Sequence, residues 1–346
     1  MRRVITFVLL GLGVFAVATG LLLKLYAYPR LAKVPHNIDA KSVAQGSGIT
    51  ALVYVPNGSS VTPEIRENLS LTSITKVTGD LSQPEVSRES DVTAWVESSI
   101  VKDDASRLTV TAGLRRLCLD RHTGEAVVPC EGQYYEDELD QRVRAGRGDL
   151  QQPGLNFKFP FGTEQRTYKW YDTEVKKAVD ARFEGVEQIK GLEVYRFALS
   201  VPPTKISERA VPGSLIGRDG EPTVKADLYY EASRTLWVEP TTGAIISGRQ
   251  DGKQELRTPD QQAGEGTYVF NGTLQLNDET VSKNAAEAEK NLSKLFAITT
   301  LPTILWISGA VLTLVALAML LLGGSTQPAR GLGNPPTRRQ GVGAGV

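Results

Sequence analysis

The chain is 346 residues long and sets 39 Lys and Arg against 39 Asp and Glu, so no net field points to nucleic acid or to an acidic partner. Its two histidines, His36 and His122, have no ligand-spaced partners, and the chain holds no Gly-x-Ser-x-Gly elbow, P-loop or dinucleotide-binding glycine fingerprint. No metal, no cofactor and no enzyme is therefore expected.

Residues 1–3 carry two arginines, and residues 4–23 follow as an apolar run broken only by Thr6, Thr19 and glycines. The run is longer than a secretory signal core, and no small-x-small site follows it, so it reads as a retained transmembrane helix. Tyr26 and Tyr28 stand where interfacial aromatics are expected. Residues 24–48, with Pro29, Pro35 and a Gly-Ser stretch, read as an extended lead-in.

From Ile49 the pattern becomes short alternating runs: Thr50–Val55, Leu69–Thr78, Val92–Ile100 and Leu108–Ala112. Further runs follow at 168–170, 181–183, 194–201, 224–230, 236–238 and 267–276. β-Branched and aromatic residues at this spacing, bounded by Gly, Pro, Asp and Asn, predict a mainly β, antiparallel domain over 49–277. The only cysteines, Cys118 and Cys130, read as a disulfide if this domain lies outside the cytoplasm, with unlinked thiols as the alternative. The acidic cluster Glu136–Asp140 lacks the alternating ligands and central Gly of a calcium loop and reads as solvated.

Two stretches resemble each other. Arg115–Val127 and Arg234–Ile246 both run strand, acidic residue, two variable positions, Thr-Gly, strand. Either hairpin chemistry has been used twice, or two halves of a barrel are related by duplication.

Residues 278–297 are rich in Ala, Glu and Lys, with Asn277 or Asp278 as N-cap and Val281, Ala285, Ala288, Leu292 and Leu295 at helical spacing. This predicts a helical stalk, or else a helix that docks a partner. Residues 298–322 are apolar on every side and long enough to span a bilayer. The tail, 323–346, is rich in Gly and Pro, basic and without acidic residues. Positive charge at both ends predicts a two-pass plasma-membrane protein with both termini cytoplasmic and its main domain in the periplasmic space.

The central stretch carries a family resemblance. Leu155–Glu164, Arg166–Asp172, Phe183–Glu187 and Gly191–Phe197, with Leu119–Ala126 and Thr235–Gly243, are similar to an actinobacterial envelope family of unknown function that is also labelled PorA-type porin. That family includes the LmcA lipoglycan-biosynthesis proteins of mycobacteria and corynebacteria. The resemblance covers nearly the whole chain, and its motifs are structural rather than catalytic.

It implies an elongated β-barrel-like outer domain with apolar cavities and a projecting helix. It also implies a role in lipomannan and lipoarabinomannan synthesis, with a lipid or polyprenyl-linked sugar as ligand. On the residues themselves, Phe157, Phe159, Phe161, Trp170, Phe183 and Tyr195 are the candidates to line such a cavity, although any one of them also reads as ordinary core. Two other functions compete: a scaffold for envelope glycosyltransferases, and a pore. The strands look short for a pore, and helical anchors would be superfluous in one.

Overall fold

The structure, a computed structural model, describes residues 2–58, 60–82, 86, 91–130, 132–137 and 151–323. Part of the acidic cluster (138–140) and the tail (324–346) lie outside the described residues. The chain divides into two compact units, Met1–Tyr28 with Ala297–Val346 and Pro29–Phe296.

The first unit is helical. α1 (Arg2–Leu22) widens into a π turn (Leu23–Ala27) and resumes as α2 (Tyr28–Leu31). α4 (Leu301–Gly323) begins just before Pro302, whose missing N–H is harmless in a first turn. The two long helices meet through glycines. A Cβ on Gly13 would meet Gly309 O at 2.9 Å, and one on Gly309 would meet Gly13 O at 2.8 Å. Small residues at such a crossing let two apolar helices approach closely where no hydrophobic effect drives them together. Lys24 Nζ stands 5.0 Å from the centroid of the Trp306 ring.

The second unit is built on one antiparallel sheet of eleven strands in the order β5-β4-β3-β2-β1-β11-β10-β9-β8-β7-β6. In chain order these are β1 (Asp39–Asn57), β2 (Ser60–Asp80), β3 (Val92–Asp103), β4 (Thr109–Asp120), β5 (Tyr134–Asp137) and β6 (Tyr168–Asp172). They continue as β7 (Lys177–Ile189), β8 (Leu192–Val211), β9 (Val224–Glu239), β10 (Ala244–Arg257) and β11 (Thr267–Leu276). Alternation sets the faces. Along β9, Val224, Ala226, Leu228, Tyr230, Ala232, Leu236 and Val238 are buried, while the residues between them lie nearer solvent.

Three sequence expectations are corrected. The strands are not short: β2 has 21 residues and β8 has 20, a path of roughly 65–70 Å at about 3.3 Å per residue. The lead-in is not extended coil up to Gly48, because β1 starts at Asp39 and pairs with β2 from Asp39↔Thr78. Its Ala, Ser, Gln and Gly residues gave no apolar alternation to read. The helix α3 (Asp278–Thr299) is not a free stalk over its first turns, since Val281, Ala285 and Ala288 are buried against Leu192, Val194 and Ile246. Asn277 caps it, accepting the Thr280 N–H at 3.0 Å, and the Thr280 hydroxyl in turn accepts the Val43 N–H.

The sheet curls so that its edge regions approach at one end, where two short segments join them. Val127 N–H donates to Cys118 O beside β4, Ala126 N–H to Gly154 O, Leu155 N–H to Lys169 O, and Tyr171 N–H to Leu155 O. The curl is closed there into a barrel and stays a half-barrel elsewhere. Cys118 and Cys130 are joined in a disulfide beside this closure.

Candidate functional site

Closure depends on two turns and one strap. In the turn after β4, Asp120 Oδ1 accepts the N–H groups of His122 and Thr123 and the Thr123 hydroxyl. The turn after β9 repeats the arrangement: Glu239 accepts the N–H groups of Thr241 and Thr242 and the Thr242 hydroxyl. Each ends on a glycine whose N–H donates to the carbonyl of the acidic residue, Gly124 to Asp120 and Gly243 to Glu239. These glycines have φ of +74° and +71°, a left-handed conformation that costs any other residue. The similarity read in the sequence is thus a shared three-dimensional turn.

The strap, residues 154–163, runs across both turns. Phe159 N–H donates to Gly243 O, Gly162 N–H to Thr241 O and Thr163 N–H to Pro240 O. On the other side, the Lys158 side chain packs against Gly124, where an added Cβ would meet Lys158 Cγ at 3.1 Å. At Gly243 a Cβ would lie 2.0 Å from Phe159 O, so the strap's backbone occupies the space that glycine leaves.

The six candidate aromatics split into two groups. Phe159 and Trp170 are buried in a core with Leu155, Tyr168, Ala181, Phe197, Leu199, Leu236 and Val238, and Phe183 and Tyr195 pack against it. Phe159 stacks on Phe197 at 4.5 Å and on Trp170 at 5.6 Å between centroids, geometry that adds to simple area burial. Phe157 and Phe161 belong elsewhere, beside Val34, Trp95, Leu117 and Leu119. One strap thus feeds alternate rings into two separate clusters. The crevice lined by Tyr229, Tyr230, Arg257 and Tyr268 leaves only about 10 Å³, room for about one water.

Charged groups lie among these rings, and sequence reasoning missed them. Arg115 forms a two-point pair with Glu97 at 2.9 and 3.0 Å, donates to Asn156 Oδ1 at 2.7 Å, and lies 4.8 Å from the Phe157 centroid. Arg116 donates to Asp80 at 2.7 Å. On the far side, buried Asp172 accepts the N–H groups of Glu174 and Val175 and faces Tyr230 and Arg234. Burial pushes the Tyr171 hydroxyl up to about 12. Arg115 and Arg116 sit mid-strand, where sequence predicts one solvent-facing partner. Nothing in the sequence gives their pairing with strands far away in the chain.

Lys158 is different. Its Nζ is buried over the Phe161 ring, 3.5 Å from the centroid, with no hydrogen-bond acceptor. Among the described residues no group of His, Cys, Asp and Glu side chains is arranged to hold a metal ion.

A curled, eleven-stranded β domain is combined with two terminal helices long and apolar enough to cross a membrane, an arrangement compatible with a membrane-anchored β protein. The profile of the Porin PorA family matches residues 5–318, and the chain belongs to that family. A protein named Porin PorA from Corynebacterium resistens is 24% identical over an alignment of 405 positions, covering 93% of this chain and 97% of that one. A second Porin PorA, from Corynebacterium amycolatum, is 24% identical over 212 positions, covering 51% of this chain and 53% of that one.

Proposed function

We propose that this chain is a non-enzymatic, membrane-anchored envelope protein whose β domain stands outside the membrane. There it holds a lipid or polyprenyl-linked sugar behind the strap, in support of lipomannan- or lipoarabinomannan-type synthesis. The observation that carries the reading is the surface of the β domain. Among the described residues of Pro29–Phe296 the exposed large hydrophobics are Leu31, Val61, Leu81, Val128, Val186 and Phe296, single residues on separate elements. A barrel embedded in lipid needs a continuous outward apolar band about 25 Å tall with aromatic girdles. The two terminal helices carry the membrane-crossing character instead, with exposed Val, Leu, Ile and Phe along their length. The aromatic core directly behind a single strap supports a ligand with an apolar tail.

Native mass spectrometry of the full chain, extracted in mild detergent from an actinobacterial host, tests the binding. A co-purifying mass that extracts into organic solvent, or a shift on adding polyprenyl phosphates or phosphoinositol mannosides, is the expected result. An unshifted apo mass under all these conditions rejects the carrier and leaves the scaffold for envelope glycosyltransferases. That alternative is weakened by the docking of the α3 apolar stripe on the sheet. The family's name favours a pore, and stepwise conductance from the purified chain in planar bilayers would establish one.

A further inference from the structure

The strap that closes the barrel contains a cation with no partner. Lys158 packs against Gly124 of the first turn, and its neighbour Phe159 is bonded to Gly243 of the second. Its Nζ is buried, donates to no oxygen, and lies over the Phe161 ring. A ring face attracts a cation, but it replaces the water lost on burial only in part. The other charged groups on the elements around the strap are committed. Asp120 and Glu239 serve the donors of their own turns, Asp172 the Glu174 and Val175 N–H groups, Arg115 is paired with Glu97, and Arg116 with Asp80. His122 faces Asp91 and the Ala32 carbonyl, Lys169 pairs with Asp180, and Glu164 with Arg166. Glu125 also belongs to the first turn, where its N–H donates to the Thr123 hydroxyl.

We infer that residues 154–163 form a proton-sensitive latch, which closes the barrel while the Lys158 amine is neutral and is released when that amine is protonated. Burial pushes the seated amine down to about 7, with Glu239 pulling weakly the other way. A released strap restores the ordinary lysine value of about 10.4. Above about 10.4 the amine is neutral in both states and pH has no effect. Between about 10.4 and 7 only the released strap takes the proton, so each unit of acidification favours release about tenfold. Below about 7 both states are protonated and the gain levels off. This holds whether or not the barrel carries a ligand, so the lipid reading and the latch stand or fall separately.

Amide hydrogen exchange on the full chain in detergent, read at Phe159, Gly162 and Thr163, tests the latch. Base-catalysed exchange slows about tenfold per unit as pH falls, whereas latch opening rises about tenfold. Strap amides are therefore expected to exchange at a nearly constant rate from about pH 9.5 to 7.5, while amides within β9 keep the tenfold slope. In Lys158→Met the strap amides are expected to regain that slope. A tenfold slope in the unmodified strap, or an unchanged flat profile in Lys158→Met, overturns the latch. A second readout needs no variant. In the unmodified protein the Lys158 Cε and Nζ resonances are expected to titrate near pH 7, and a midpoint near 10.4 rejects the proposal.

Discussion

The turns after β4 and β9 share a hydrogen-bond diagram yet do different work. At Asp120 the cap is half-buried, and its glycine faces a flexible lysine stem. At Glu239 the cap is buried, and its glycine lies under the backbone of the strap, whose Phe159 N–H donates to Gly243 O. A turn of given chemistry thus costs little to alter until another segment relies on the space or the carbonyl that it presents. The second turn holds the strap, and the first only accommodates it.

Substituting the glycines gives the widest separation. Gly243→Ala places a Cβ 2.0 Å from Phe159 O at a φ of +71°, and the strap cannot stay seated. A loss of about 3 kcal/mol or more in chemical denaturation is expected. Gly124→Ala meets Lys158 Cγ at 3.1 Å, which can swing aside, and Lys158 O at an ordinary 3.4 Å, so the backbone conformation sets a cost of about 1–2 kcal/mol. Equal losses at the two positions would dissolve the distinction between the turns.

Breaking the disulfide tests the neighbourhood of the first turn. Cys118 and Cys130 are 12 residues apart, so reduction, or Cys118→Ser with Cys130→Ser, is expected to lower stability by about 3 kcal/mol through freedom regained by the unfolded chain. The caps come next. Glu239→Ala strands the buried N–H groups of Thr241 and Thr242 at a cost of about 2 kcal/mol. Asp120→Ala leaves donors that water reaches more easily, at about 1 kcal/mol. A cost at Asp120 equal to that at Glu239 would mean that burial does not distinguish the two caps.

Much of this organisation was legible in the chain. The paired Thr-Gly stretches, the two apolar helices, the disulfide and the Asn277 cap follow from residue type and spacing, which are local properties. The closure was not. The pairing of Ala126 with Gly154 and of Leu155 with Lys169 involves single residues at sheet edges, which leave no periodic trace. The length of β8 was hidden for a related reason. The run read in the sequence stops at 201, before Pro202 and Pro203, but β7 pairs with β8 only as far as Leu199, so both prolines fall past the end of that pairing, where a strand tolerates them. The rings at 157, 159 and 161 read as candidates to line one cavity. The strap that carries them is irregular, and they enter different clusters.

A third acidic turn sharpens the comparison at its weak end. Between β3 and β4, Asp103 accepts the Ser106 N–H at 2.8 Å and the Ser106 hydroxyl at 2.5 Å, the same i to i+3 device without a strap above it. The Ser106 hydrogen bond holds the Asp103 carboxyl below its usual range. Because the folded value lies below the unfolded one, the contribution is complete above about pH 3.9 and is lost as pH falls through the folded value. Asp103→Asn is therefore expected to cost about 1 kcal/mol or less at pH 7, with the gap to the unmodified protein closing as pH falls through the folded value. This turn has no strap and ends on Arg107 at φ +63° instead of a glycine, and Asp103 is buried as Glu239 is, so a cost near that of Asp120 assigns the difference between the caps to the strap rather than to burial. A loss as large as that of Glu239→Ala, or a gap that does not narrow as pH falls, would mean that the acidic residue itself, rather than what lies over the turn, decides what each turn is worth.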